Sequence, residues 1–161
     1  LKNIINSVLD IPQFPYPEPR DYQVEAYNNW VMNNHKGVFA MATGTGKTLT
    51  ALNCVLNEYK ERGNYRALIL VPTIELVAQW REEIQKFKFK NTVSVSSANK
   101  DWRNDLKRIN ALSKKDSTFS FFIVTTYRSF ISPRFQTVMQ NFPTDTIFIA
   151  DEAHNCGSPS V

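Results

Sequence analysis

The stretch Gly37-Val38-Phe39-Ala40-Met41, followed by Ala42-Thr43-Gly44-Thr45-Gly46-Lys47-Thr48, limits the possible folds more than any other part of the chain. An apolar run of strand type enters a glycine-containing turn, and Leu49, Leu52, Leu56 and Tyr59 then recur at helical spacing up to Gly63, a natural helix terminator. A tight strand–turn–helix unit needs a crossover to its next strand. Such crossovers are right-handed and build a mainly parallel sheet with helices on both faces. Ligands of such sheets sit at the carboxyl ends of the strands. Gly44 and Gly46 let backbone N–H groups approach an anion, and the helix that follows adds a positive dipole end.

The rest of the chain repeats this alternation. Residues 12–19, Pro-Gln-Phe-Pro-Tyr-Pro-Glu-Pro, hold four of the eight prolines and predict an extended lead-in, with residues 1–18 set apart from a domain over 19–161. A helix is expected from Asp21 as N-cap, with Val24, Tyr27 and Val31 on its inner face and Trp30 beside them, ending by Asn33-Asn34. Residues 67–71 predict a strand, followed by a helix capped by Thr73 that turns Leu76, Val77, Trp80, Ile84 and Phe87 inward. A short strand is expected over 92–97, then a helix capped by Asp101 with Trp102, Leu106 and Ile109 inside. Runs 118–126 and 146–150 read as strands of buried type, separated by helical turns broken at Pro133 and Pro143.

Composition narrows the class. At 161 residues, 42% hydrophobic and 21% charged, the chain has the size and balance of one globular domain. It lacks an apolar run long enough to span a membrane, and its first residues do not resemble a signal peptide, so a cytoplasmic protein without a membrane partner is expected. Cys54 and Cys156 have no metal or redox spacing. Nineteen Lys plus Arg against 15 Asp plus Glu give +4, which mildly suits a polyanion partner.

The turn matches the phosphate-binding pattern G-x-x-x-x-G-K-[ST] except that Met41 holds the first glycine position. Lys47 would reach the outer phosphates of a nucleotide, and the Thr48 hydroxyl would hold a Mg ion. Asp151-Glu152-Ala153-His154 follows the last apolar strand, which puts both carboxylates at the carboxyl edge where the phosphate turn opens. An exposed acidic turn would look the same in isolation. Beside the phosphate turn, the pair suits a Mg-ligating aspartate and a water-orienting glutamate.

Together, Ala42–Thr48 and the DEAH tetrapeptide resemble motifs I (Walker A) and II of the first, RecA-like motor domain of superfamily-2 helicases and translocases. Further stretches agree. Pro19-Arg20-Asp21-Tyr22-Gln23 resembles the adenine-reading segment, residues 70–80 resemble motif Ia, and residues 124–130 resemble motif Ib or Ic. Met41 and the Thr-Thr-Tyr-Arg-Ser-Phe element are more similar to the branch of restriction-enzyme motor subunits and repair helicases than to spliceosomal DEAH RNA helicases.

The resemblance implies an α/β three-layer P-loop fold, cut after the motif II strand, with a second RecA-like domain elsewhere in the parent chain. It implies ATP and Mg2+, with Thr43, Gly44, Thr45, Gly46, Lys47 and Thr48 on the phosphates and Gln23 on the adenine, assisted by Arg20 or Tyr16. Asp151 would join Thr48 around Mg, Glu152 would orient the water, and His154 would couple the site to the second domain. Pro72, Thr73, Thr125, Tyr127 and Arg128 would meet nucleic acid, DNA more than RNA, although Thr73 as a cap and Tyr127 as a core or cap residue fit equally well. A nuclease or methylase partner is compatible. The implied activity is ATP-driven helicase or translocase work, nearly absent from the isolated 161 residues. The alternatives are a non-hydrolysing binding module and another P-loop phosphotransferase. Asn99-Lys100-Asp101 is one residue short of a guanine-reading motif, which favours ATP. Lys100, Arg103 and Lys107 form a stripe of the kind that is merely solvated.

Overall fold

Strand β1, Arg66–Val71, is buried along its whole length and organises the molecule. Ala67, Ile69 and Val71 enter one apolar cluster and Leu68 and Leu70 the other, so the period-two pleat of this strand feeds two cores, one on each face. The computed structural model describes residues 11–33 and 46–151. Over these residues the sheet has four strands in the order β2-β3-β1-β4, where β2 is Thr92–Val95, β3 is Phe121–Thr126 and β4 is Ile147–Ala150. Every pairing is parallel, with Ile69 opposite both Val124 and Ile149. Helices cover both faces, as expected of a three-layer α/β domain.

One face carries α2 (Lys47–Arg62) and α3 (Ile74–Lys86), through Leu52, Val55 and Leu56 of the former and Val77, Trp80 and Ile84 of the latter. The other carries α4 (Trp102–Lys115) and α6 (Pro133–Met139), whose Leu106, Ile109 and Phe135 are fully buried. The short α5 (Tyr127–Phe130) follows β3 directly. Gly63 ends α2 at φ 85°, its N–H donating to the Tyr59 carbonyl at 2.8 Å. Thr73 caps α3 as expected, its Oγ1 accepting the Leu76 N–H at 3.2 Å. The lead-in is extended, and Phe14 packs edge-on against Phe87 with ring centroids 5.5 Å apart.

Several expectations need correction. Helix α1, Asp21–Met32, takes Arg20 as its N-cap, and Gln23 Oε1 accepts the Arg20 N–H at 2.9 Å. Its inner face is Gln23, Ala26, Tyr27 and Trp30, while Val24 and Val31 are exposed. Polar contacts with α2 set this rotation: Gln23 is buried beside Gly46, and the Tyr27 hydroxyl donates to Glu58 at 3.2 Å. Asp101 occupies the N-cap position of α4 without a capping side-chain bond. Residues 118–120 lie outside the strand because the Asp116 carboxylate accepts both the Thr118 N–H and hydroxyl, at 2.9 and 2.7 Å, and bends the chain there. Pro133 opens α6 rather than breaking it, since its missing N–H costs nothing at the first helical position. Strand β4 alternates instead of being buried throughout: Ile147 and Ile149 pack inward while Phe148 is 57% exposed. Among the described residues β4 pairs with β1 alone. The expected strand over 37–41 lies outside the described residues.

Candidate functional site

The parallel register brings the ends of three strands to one edge. Val71 lies opposite Thr126 and Leu70 opposite Ala150, so Pro72-Thr73, Tyr127-Arg128 and Asp151 leave the sheet side by side. The Asp151 N–H donates to the Leu70 carbonyl at 2.8 Å and extends the β4 ladder by one residue. Its carboxylate is thereby fixed at the rim, 4% exposed.

The start of α2 meets that rim. Gly46 is the N-cap at φ 86°, and its carbonyl accepts the Thr50 N–H at 2.8 Å and hydroxyl at 2.9 Å. A Cβ at Gly46 would lie 2.7 Å from the Tyr22 hydroxyl and 3.5 Å from Gln23 Nε2. Glycine is therefore required there on two counts, backbone angle and space. The same contacts bring Tyr22 and Gln23 against Gly46; Gln23 is buried and Arg20 exposed. Lys47, the first residue of α2, forms an ion pair through its ammonium with Asp151 Oδ1, linking the two stretches that carry the phosphate and acidic motifs. Thr48 follows, half-buried.

Similarity to known proteins agrees with this arrangement. Residues 16–161 match the family described as "Type III restriction enzyme, res subunit". The chain belongs to this family. It is similar to the DNA 3'-5' translocase XPB2 of Sulfurisphaera tokodaii, with 37% identity over 92 residues, covering 53% of this chain and 18% of that protein. Its fold is similar to that of a nuclease-deletion mutant of the Type ISP restriction-modification enzyme LlaGI, solved with a DNA substrate mimic: TM-score 0.56, 21% identity, 83% of this chain and 17% of that one. The chain thus spans under a fifth of either relative's length. Family match, translocase relative and fold together make it an N-terminal RecA-like domain of the superfamily-2 helicase type. No helix among the described residues is long and apolar enough to cross a membrane.

The second carboxylate oxygen of Asp151 shows what the family motifs alone do not. Oδ2 accepts the Trp80 indole N–H at 2.8 Å, a buried bond from the middle of α3. The sequence places Trp80 only among inward-facing core residues, and it is that too, at 2% exposure. A buried indole N–H needs a partner, and that requirement was the available signal. Tyr127 donates its hydroxyl to the Asp151 carbonyl at 2.5 Å. Asp151 is therefore held through both carboxylate oxygens and through its backbone on either side.

The other residues expected to meet nucleic acid have different settings. Thr73 and Arg128 are exposed, Pro72 and Tyr127 half-buried. Thr125 is fully buried, and its hydroxyl donates to the Thr126 carbonyl at 3.0 Å, so its side chain presents no surface. Thr43, Gly44, Thr45, Glu152 and His154 lie outside the described residues.

For a divalent cation, the described residues contain no cluster of three or more His, Cys, Asp or Glu. A Mg ion that takes most of its ligands from phosphate and water needs only one or two protein oxygens. The fit is supported by the Lys47 ammonium, which shows that Oδ1 accepts a cation at the edge where α2 begins.

Proposed function

We propose that this chain is the ATP-binding domain of an ATP-dependent helicase or translocase that acts on DNA. The observation that carries the proposal is the Lys47–Asp151 pair, which joins the start of the phosphate-turn helix to the end of the acidic strand. The paired groups are the lysine and the carboxylate that the proposal assigns to phosphate and metal. Lys47 would hold the outer phosphates of Mg·ATP, and Asp151 with the Thr48 hydroxyl would hold the metal. Mg would supply charge that offsets the phosphates.

The chain's own groups supply the rest. Backbone N–H groups of residues 43–46 would hold the phosphates, with the positive dipole end of α2 next to them. Gln23, with Arg20, reads the adenine edge next to Gly46. Glu152 orients the attacking water, and His154 carries the state of the site to a second motor domain. DNA would cross the edge formed by Pro72, Thr73, Tyr127 and Arg128, with Thr125 contributing through its backbone. The name of the translocase relative supports DNA as the substrate.

The test is ATP turnover by these 161 residues and by the protein extended through a second motor domain, each with and without single-stranded DNA, duplex DNA or RNA. The expected result is DNA-stimulated hydrolysis in the longer protein, lost in Glu152→Gln, and slow or absent turnover in the shorter. Unchanged turnover in Glu152→Gln would refute the assigned chemistry. Stimulation by RNA alone would refute the substrate.

A further inference from the structure

The Asp151 carboxylate could face a cation with either oxygen, and free rotation about its side chain would scramble the two. The structure prevents this. Trp80 projects from the middle of α3, packed in the core at 2% exposure, and its indole N–H reaches Oδ2 at 2.8 Å. A packed indole has few rotamers, so the donor's position is set by the core rather than by solvent. Oδ1 is left on the side of Lys47 and the start of α2. Helix α3 begins directly after Thr73, which lies exposed on the same edge, and the helix runs without a break from that cap to Trp80. A displacement at its N-terminus therefore reaches Asp151 through a single hydrogen bond.

We propose that Trp80 is a positioning residue for the metal–nucleotide site: its indole N–H holds Asp151 Oδ2 so that Oδ1 is presented to Mg, and it ties that carboxylate to the helix whose start faces the nucleic-acid edge. The proposal rests on the reading of Asp151 as a Mg ligand. Trp80 itself touches neither metal nor nucleotide. Groups that orient metal-ligating carboxylates typically cost roughly 10- to 100-fold in metal affinity when removed.

The experiment uses the 161-residue chain with ADP, which avoids turnover. ADP affinity is measured with Mg2+ and with EDTA in the unaltered protein and in Trp80→Phe, with folding checked by circular dichroism. In parallel, the indole N–H resonances of Trp30, Trp80 and Trp102 are followed by NMR in the unaltered protein. The expected result is that Mg·ADP shifts the Trp80 resonance while ADP in EDTA does not. Trp80→Phe should also cut the Mg-dependent gain in affinity by roughly tenfold or more, with the EDTA affinity within about twofold of the unaltered protein. A gain that survives Trp80→Phe, or equal losses with and without Mg, would overturn the proposal while leaving the site's function standing. Should the variant not fold, a Trp80 resonance indifferent to Mg·ADP overturns it in the unaltered protein. Absence of any Mg-dependent gain in the unaltered protein would sink the reading of Asp151, and the proposal with it.

Discussion

Replacing Lys47 by methionine removes one charge from a pair whose side chains are 17% and 4% exposed. Exposed ion pairs contribute about 0–1 kcal/mol, whereas breaking a fully buried pair costs about 3–5 kcal/mol because the remaining charge is stranded. Lys47 keeps partial access to water, so the expected cost of Lys47→Met is in between, about 2–3 kcal/mol. The Asp151 carboxylate then retains the Trp80 N–H but loses the Lys47 charge. Asp151→Asn should cost less, about 1 kcal/mol, since the freed ammonium can turn toward solvent and an amide oxygen can still accept from Trp80. In the double variant no charge is stranded, and a coupling energy of about 1.5–2.5 kcal/mol should appear. Urea unfolding of the four proteins measures it; with a slope of about 2 kcal/mol/M, Lys47→Met shifts the midpoint by about 1 M. A coupling below about 0.5 kcal/mol would show that the pair is not formed in solution, and the observation that carries the proposed site would fall.

Arg66 is 7% exposed and donates to the main-chain carbonyls of Phe119, Ser113, Asp116 and Ser117 at 2.9–3.4 Å. Arg66→Met should destabilise by about 3 kcal/mol, with Lys rescuing little because an ammonium cannot span that fan of acceptors; thermal melting reports both. Gly46→Ala should cost about 1–2 kcal/mol from its positive φ alone, plus a steric part from the Tyr22 hydroxyl that Tyr22→Phe relieves. Equal costs on both backgrounds in urea unfolding would rule out the Tyr22 contact. Burial and the nearby Glu58 push the Cys54 thiol from 9.0 to about 12. The unfolded thiol ionises first, so this contribution to stability is complete below pH 9 and is lost as pH rises toward 12. Cys54→Ala should flatten the alkaline decline in urea midpoint, and native Cys54 should resist iodoacetamide at pH 8 until urea is added.

The β/α alternation and the edge where Lys47 meets Asp151 were legible because they depend on continuous apolar runs in β1 and β3 and on helical spacing in α2 and α3, where burial dominates. The inner face of α1 was not. Counting hydrophobic residues places Val24, Tyr27 and Val31 inside; Tyr27 is inside, but Gln23 takes the place of the two valines because the partners on α2 are polar and distant in sequence. The strand before Phe121 was overextended because the Asp116–Thr118 turn depends on side-chain bonds that apolar patterning does not register. Trp80 was placed correctly in the core and its second role missed. A core tryptophan and one that also orients a carboxylate have the same spacing, and only the Oδ2 contact separates them.

The most direct test of the central claim, that Lys47 and Asp151 form a Mg·nucleotide site, is calorimetric titration of these 161 residues with Mg·ATP. The account predicts saturable one-to-one binding, strongly weakened by EDTA, by Asp151→Asn and by Lys47→Met, and weaker binding of Mg·GTP. Binding that is indifferent to Lys47→Met, or no binding at all by the folded, unaltered chain, would contradict it.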